Sequence, residues 1–414
     1  MQSSKLHFLS EAIIAGNIPN IVMYTIVHAI ESRASDIHAE PEKNTVRIRF
    51  RIDGVLRPIV EYPLNIHPAI ISRVKIMSNL KIDEQRIPQD GRCQITTEDN
   101  RDMDLRVSTF PTVNGEKMVL RIQDEAKEIP SLEDLGLEGQ NLQRIMAGIR
   151  EPNGIILTSG PTGSGKTTTL YSCLHLLNKT DVNILTIEDP VEIQMDGLNQ
   201  SQIHPDIRFT FATGLRSALR QDPDIMMVGE IRDRETVDIA IEAALTGHLV
   251  LSTIHTNSAV ETITRIQNME VPLFLMTSTV NVIIAQRLVR RICEHCREKY
   301  IPDEDTLSLV KHALSNLPPS ETVDSELLKN LVFYRGKGCE VCDNIGYKGR
   351  VGLYEVLSMN NELRRLILNH IPSMDLEAQA MKDGMTTLEQ SGLLKALRGE
   401  TSLMEVYRVA RPKK

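Results

Sequence analysis

Within residues 1–123, several stretches alternate apolar with polar positions, the period-two pattern of strands with one buried face. In Val46-Arg-Ile-Arg-Phe-Arg-Ile52 arginines separate the apolar residues, so Val46, Ile48, Phe50 and Ile52 share the buried side. Asp53-Gly54 then turns the chain into Val55–Val60, the signal of a hairpin. Ile66, Ile70, Val74 and Met77 follow at helical spacing. Alternation returns in Met103, Leu105 and Val107, and again in Met118, Leu120 and Ile122, with a turn between Pro111 and Gly115. The segment reads as an α/β domain with antiparallel strands.

Residues 124–135 are charged and contain Pro130, which marks a linker. Beyond it the pattern changes. Residues 155–159, 184–188, 225–229 and 249–254 are near-continuous apolar runs with helical segments between them. Such runs suit parallel strands buried on both faces, so residues 136–290 read as βαβ units in a doubly wound sheet. Periodicity weakens over 291–350, the region of four paired cysteines. The tail, 351–414, is predicted helical, with Ser402-Leu-Met-Glu405 as a capping box.

Composition narrows the function. Of 414 residues, 41% are hydrophobic and 25% charged, which excludes wholesale disorder. Lys+Arg 47 against Asp+Glu 55 gives a net charge of −8, Trp is absent and aromatics are 4%. That argues against coating nucleic acid or stacking on single-stranded bases. The start has no cationic segment followed by an apolar core, and no run of 18 apolar residues occurs. A cytoplasmic protein is expected, or one held peripherally at a membrane.

The strongest chemical signal is Gly160-Pro161-Thr162-Gly163-Ser164-Gly165-Lys166-Thr167-Thr168, which fits G-x-x-x-x-G-K-[ST] between a predicted strand and a predicted helix. Glycines let backbone N–H groups curl around phosphate oxygens, and the helix N-terminus adds a favourable dipole. Lys166 is expected to reach the β- and γ-phosphates of a nucleoside triphosphate, with the Thr167 hydroxyl on Mg²⁺. Glu188 and Glu230 close the second and third apolar strands, where carboxylates share the crevice of the phosphate loop. Gly229 occupies the usual position of an Asp, so the magnesium role falls on Thr167 and Glu230 and the general-base role on Glu188. Acidic helix caps are the plainer alternative for either glutamate. His248 and His255 bracket the fourth strand and suit γ-phosphate sensing.

Cys293-Glu-His-Cys296 and Cys339-Glu-Val-Cys342 form two Cys-x-x-Cys pairs. Four thiolates suit the closed tetrahedral site of structural Zn²⁺, with a long insertion, roughly Pro302 to Leu331, looping out between the knuckles. A redox dithiol or an iron–sulfur cluster is the alternative.

These motifs stand beside others: Ser35-Asp-Ile-His-Ala-Glu-Pro41, Arg86-Ile-Pro-Gln-Asp-Gly-Arg92, Ile187-Glu-Asp-Pro-Val-Glu192, Leu219-Arg-Gln-Asp-Pro-Asp224, Gly229-Glu-Ile-Arg-Asp233 and Thr246-Gly-His-Leu-Val-Leu-Ser-Thr-Ile-His-Thr256. Together they resemble the secretion-ATPase superfamily that powers type II secretion and type IV pilus assembly. The resemblance implies a RecA-like P-loop ATPase domain preceded by a PAS-like domain, assembling as a homo-hexamer on an inner-membrane platform protein. It implies ATP, Mg²⁺ and Zn²⁺ as ligands. It also nominates Arg106, Arg121, Arg232 and Arg265 as phosphate-contacting cations. Arg106 and Arg121 alternating outward on solvated strands is the plainer reading. Because Ser35 lies near the start, the further N-terminal domain that docks such ATPases to their membrane partner is expected to be absent or truncated.

By the same resemblance the cysteine quartet favours assembly and secretion motors over retraction motors. Pilus assembly and secretion are not separated by sequence. A nucleic-acid translocating ATPase remains the alternative, because Arg287-Leu-Val-Arg290-Arg291 forms a local basic patch. A nucleotide-gated scaffold without turnover is a third reading.

Overall fold

The computed structural model describes residues 2–97, 102–124, 128–318, 321 and 331–410. The chain divides into two compact units, Met1–Glu128 and Ile129–Lys414, and the division falls within the segment read as a linker.

In the first unit, the described strands are β1 (Ala34–Pro41), β2 (Thr45–Ile52), β3 (Val55–Pro63), β4 (Gln89–Thr96), β5 (Asp102–Thr112) and β6 (Gly115–Asp124). They form one antiparallel sheet in the order β3-β2-β1-β6-β5-β4. The β2–β3 turn carries Asp53 and Gly54 at φ 49° and 83°, as a tight hairpin of this type requires. Val46, Ile48, Phe50, Leu105, Val107 and Leu120 face a core shared with the helices Ile18–Glu31 and His67–Met77. Ile52, at the turn, is only partly buried. The helix Ile18–Glu31 starts where Asn17 Oδ1 accepts the Asn20 N–H at 3.2 Å, and Pro19 sits in its first turn, where a missing N–H costs nothing.

In the second unit the described strands are β7 (Gly154–Ser159), β8 (Ile184–Glu188), β9 (Asn199–Gln202), β10 (Ile225–Val228), β11 (Leu249–Ile254), β12 (Val280–Ile292), β13 (Arg297–Tyr300), β14 (Phe333–Gly336) and β15 (Tyr347–Ser358). The main sheet runs β15-β12-β7-β11-β10-β8-β9, parallel from β12 to β9 with β15 antiparallel at the edge. Ile155 and Leu157 enter one apolar core and Ile156 the other, so helices cover both faces of β7.

Two boundaries differ from the sequence reading. The segment from Gly352 is not helical at first: β15 pairs along β12 from Ser358↔Val282 to Tyr347↔Ile292. Its residues Val351 to Leu357 are all buried, so no period-two signal marks the strand. The expected boundaries at 290/291 and 350/351 therefore cut one long hairpin, and the cysteine region grows from its tip. Ser402 Oγ accepts the Glu405 N–H at 3.3 Å, but the Glu405 carboxylate does not return to Ser402. It is buried against Arg290 instead, at 2.8 Å to Nη2 and 2.9 Å to the backbone N–H. No helix among the described residues is long and apolar enough to cross a membrane.

That buried pair makes a stability prediction. Donors from Arg290 and Arg408 outweigh burial and hold the Glu405 carboxyl at about 2. A depressed acid stabilises above its unfolded value of ~4.3 and loses that contribution as pH falls toward the folded value. Arg290→Met is expected to cost about 1–3 kcal/mol at neutral pH, because it leaves the buried carboxylate only Arg408 and the backbone N–H of residue 290 as partners. Melting measured at pH 7 and pH 3 checks this: the gap between variant and parent should shrink in acid.

Candidate nucleotide site and cysteine cluster

The loop 160–165 joins β7 to the helix Lys166–Leu177. Gly160, Gly163 and Gly165 all take positive φ, and a Cβ on Gly160 would sit 2.6 Å from the Gln286 carbonyl of β12. Only glycine fits there. Pro161, Thr162 and Gly163 form the exposed tip, Ser164 and Lys166 are buried, and Thr167 and Thr168 are half-buried at the helix start. The Lys166 ammonium donates to the carbonyls of Gly160 at 2.9 Å and Pro161 at 3.2 Å. Burial pushes its pKa down, with Arg287 adding to the shift and Glu230 opposing it. A cradle without side chains, closed by a buried lysine and a helix N-terminus, fits a polyphosphate.

Parallel register brings the acidic groups to the same edge. Ile254 pairs with Ser159, and Val228 with Ser252 and Ile187, so Gly160, Glu188, Glu230 and His255 all follow the carboxyl ends of their strands. Glu230 is ion-paired with Arg232, and His255 Nε2 lies 3.3 Å from its other oxygen. Glu188 is buried. It accepts from the Tyr171 hydroxyl, from Thr186 Oγ1 at 2.6 Å and from Gln200 Nε2 at 3.1 Å. Burial nevertheless pushes its pKa up. Arg232 is mostly exposed, and Arg265 is exposed on the helix Ala259–Asn268.

The structure separates the two histidines. His248 precedes β11, with Nδ1 2.8 Å from the Ala243 carbonyl, and its own carbonyl accepts the Gly154 N–H at the start of β7. A six-residue strand puts it about 20 Å from the phosphate-loop end of the sheet. His248 is therefore no γ-phosphate sensor within this chain, and only His255 of the two lies at the phosphate-loop end of β11. Flanking a strand in sequence means opposite ends in space.

Sequence reasoning missed Tyr171, Gln200 and Gln286, and misplaced Arg287. The basic patch at 287–291 is largely internal. Arg287 is buried and donates to Asn257 O at 2.9 Å and Oδ1 at 3.1 Å. Arg290 serves Glu405. For Gln286, Arg287 and Arg290 the signal is a polar residue inside an otherwise apolar strand, here Val280–Ile292; Tyr171 and Gln200 carry no such signal.

In the first unit, one rung of the sheet runs Arg51–Asp36–Arg121–Arg106–Arg92 across five strands. Asp36 accepts from Arg121 Nε at 3.0 Å and lies 3.5 Å from Arg51 Nε. Asp36 thus holds Arg51 and Arg121 from the strands on either side of β1.

The four Sγ atoms of Cys293, Cys296, Cys339 and Cys342 lie within 4.8 Å of one another. Cys293–Cys339 and Cys296–Cys342 are 3.8 Å apart and Cys339–Cys342 3.7 Å. A tetrahedron with ~2.3 Å metal–sulfur bonds has edges of about 3.8 Å, whereas a disulfide requires ~2.05 Å. Backbone N–H groups of Gly338, Cys339 and Gly346 donate to Sγ atoms at 3.2–3.3 Å, supporting thiolates. The residues fit zinc. His295, between two ligands, is exposed.

A phosphate loop after the first strand of a parallel sheet, with carboxylates at the neighbouring strand ends, defines a P-loop nucleotide-binding class of protein. The type II/IV secretion system protein family matches residues 12–408, and the chain belongs to that family. It is 45% identical over 386 residues to the type IV pilus assembly ATPase PilB of Pseudomonas aeruginosa, covering 93% of this chain and 66% of that protein. To the type II secretion system protein E of Xanthomonas campestris it is 46% identical over 389 residues, 94% of this chain and 66% of that one. The chain thus spans about two thirds of these relatives. Among solved structures, the pilus retraction motor PilT with bound ADP aligns with TM-score 0.61 at 27% identity, over 94% of this chain and 96% of PilT. The Legionella pneumophila ATPase DotB shares the fold, with TM-score 0.68 at 22% identity over 94% and 95%.

Proposed function

We propose that this chain is an ATP-hydrolysing motor that drives assembly of a type IV pilus or a type II secretion pseudopilus. The observation that carries the reading is the single sheet edge where the Lys166 loop, Glu188, Glu230 and His255 converge, in a chain of this family. ATP is the substrate, and Mg²⁺ held by Thr167 and Glu230 would supply charge neutralisation at the phosphates. Lys166 binds phosphate oxygens. Glu188 orients the attacking water or takes its proton, and its raised pKa suits a base nearer neutral pH. Tyr171, Thr186 and Gln200 hold its carboxylate in one orientation. His255 and Arg232 hold Glu230. Zinc in the four-cysteine site is structural.

The second unit is read as a RecA-like core, and the first as a PAS-like domain. The chain works as a homo-hexamer at the cytoplasmic face of the inner membrane, peripherally associated through a platform protein. Arg106 and Arg121 of one subunit then reach the γ-phosphate held by a neighbour, and Arg232 and Arg265 line the shared site. The inward turn of Arg287 and Arg290 leaves the nucleic-acid alternative without its basic patch. Phosphate release by the full chain with Mg²⁺-ATP tests the reading. Glu230→Gln should keep nucleotide binding while turnover falls at least about tenfold. Turnover at the parent rate would overturn the magnesium assignment. Elemental analysis should find one Zn²⁺ per chain, and native protein without zinc would contradict the metal reading.

A further inference from the structure

The phosphate loop is backed by a side chain that no motif includes. Gln286 lies on β12 one residue past Ala285, which pairs with Ser159 where β7 ends. It is fully buried. Its Oε1 accepts the Thr169 hydroxyl at 2.8 Å, fixing the carboxamide against the first turn of the helix that follows the loop. Its Nε2 lies 2.8 Å from where a Cβ on Gly165 would sit, so the amide faces the loop backbone. Among the described residues that Nε2 has no hydrogen-bond partner, and neither has the buried Ser164 Oγ of the same loop. A buried donor left unpaired is costly, and a glutamine so placed needs a reason.

We propose that Gln286 is a positioning residue for the phosphate loop, its amide N–H₂ held for a loop carbonyl that comes within reach when the loop wraps a phosphate chain. The proposal rests on the nucleotide-binding reading above. The Lys166 ammonium occupies the Gly160 and Pro161 carbonyls in the structure described. When Lys166 turns to phosphate oxygens, loop carbonyls are released and the nearby amide can take one. Gln286 then stabilises the nucleotide-bound loop and not the free one. β12 continues from Gln286 to Ile292 and directly into Cys293, so loop closure and the cysteine hairpin share one strand.

A purely structural glutamine and a reserved one differ in what its loss does. Gln286→Met keeps the volume and removes both hydrogen-bonding groups. Thr169 Oγ1 retains the Gly165 carbonyl at 3.3 Å, so nothing else is orphaned. The free variant is therefore expected to melt at or above the parent temperature, while its Kd for Mg²⁺-ADP rises about three- to tenfold. Thr169→Val serves as a second variant. It frees Oε1 but leaves the Nε2 donor, and should weaken ADP less than Gln286→Met does. Equal ADP affinity in parent and Gln286→Met, or a fall in melting temperature of the free variant, overturns the proposal. A parent chain that binds no ADP overturns the nucleotide reading itself, a result visible before any variant is made.

Discussion

Lys166→Ala should abolish measurable nucleotide binding and reduce ATP turnover by on the order of 10²–10³ or more. The ammonium is the one point charge buried in the loop, and it is already desolvated. Burial pushes its pKa down, with the nearby Arg287 guanidinium also disfavouring the cation and Glu230 opposing both. Phosphate oxygens supply the counter-charge that such a group lacks, so removing it costs more than an exposed lysine would. Calorimetric titration with Mg²⁺-ADP checks the first part and phosphate release the second. Normal affinity in the variant would mean that the loop holds phosphate by backbone N–H groups alone.

The second large effect belongs to the first unit. Arg106→Ala is expected to lower turnover by on the order of 10³ while Kd for ADP changes several-fold at most, since an arginine supplied in trans acts on transition-state charge. Melting of the same variant separates this role from a structural one. Arg106 lies opposite Arg121 and Arg92 in the sheet, and melting of the variant is followed on the same samples. An arginine on a merely solvated strand would alter neither property. Measured together, unchanged melting and lost turnover identify an anion-directed residue. Unchanged turnover with unchanged melting would identify an ordinary surface one, and lost melting a structural one.

Much of this was legible before the structure because it depends on local pattern. Phosphate-loop glycines, apolar parallel strands and paired cysteines each impose a short-range signature. What was not legible depends on how distant segments meet. β15 carries no alternation because it is buried on both faces, and so it read as part of a helical tail. His248 and His255 sit symmetrically around β11 in sequence, yet a strand's two ends face opposite edges of the sheet. Tyr171, Gln200 and Gln286 are unremarkable as residue types. Their roles arise only when the helix after the loop, β9 and β12 are brought beside Glu188 and Gly165. Arg287 and Arg290 looked like surface charge because a run of arginines near the end of a strand usually is. Asn257 and Glu405, contributed from 30 and 115 residues away, turn them inward.

The central claim is that hydrolysis is completed in a ring of identical subunits. The measurement that tests it most directly is ATP turnover per chain across a dilution series, with molar mass followed by light scattering on the same samples. Turnover per chain should climb as monomers give way to hexamers, and Arg106→Ala should flatten the climb without preventing assembly. A demonstrably monomeric preparation that hydrolyses ATP at the full rate would contradict it.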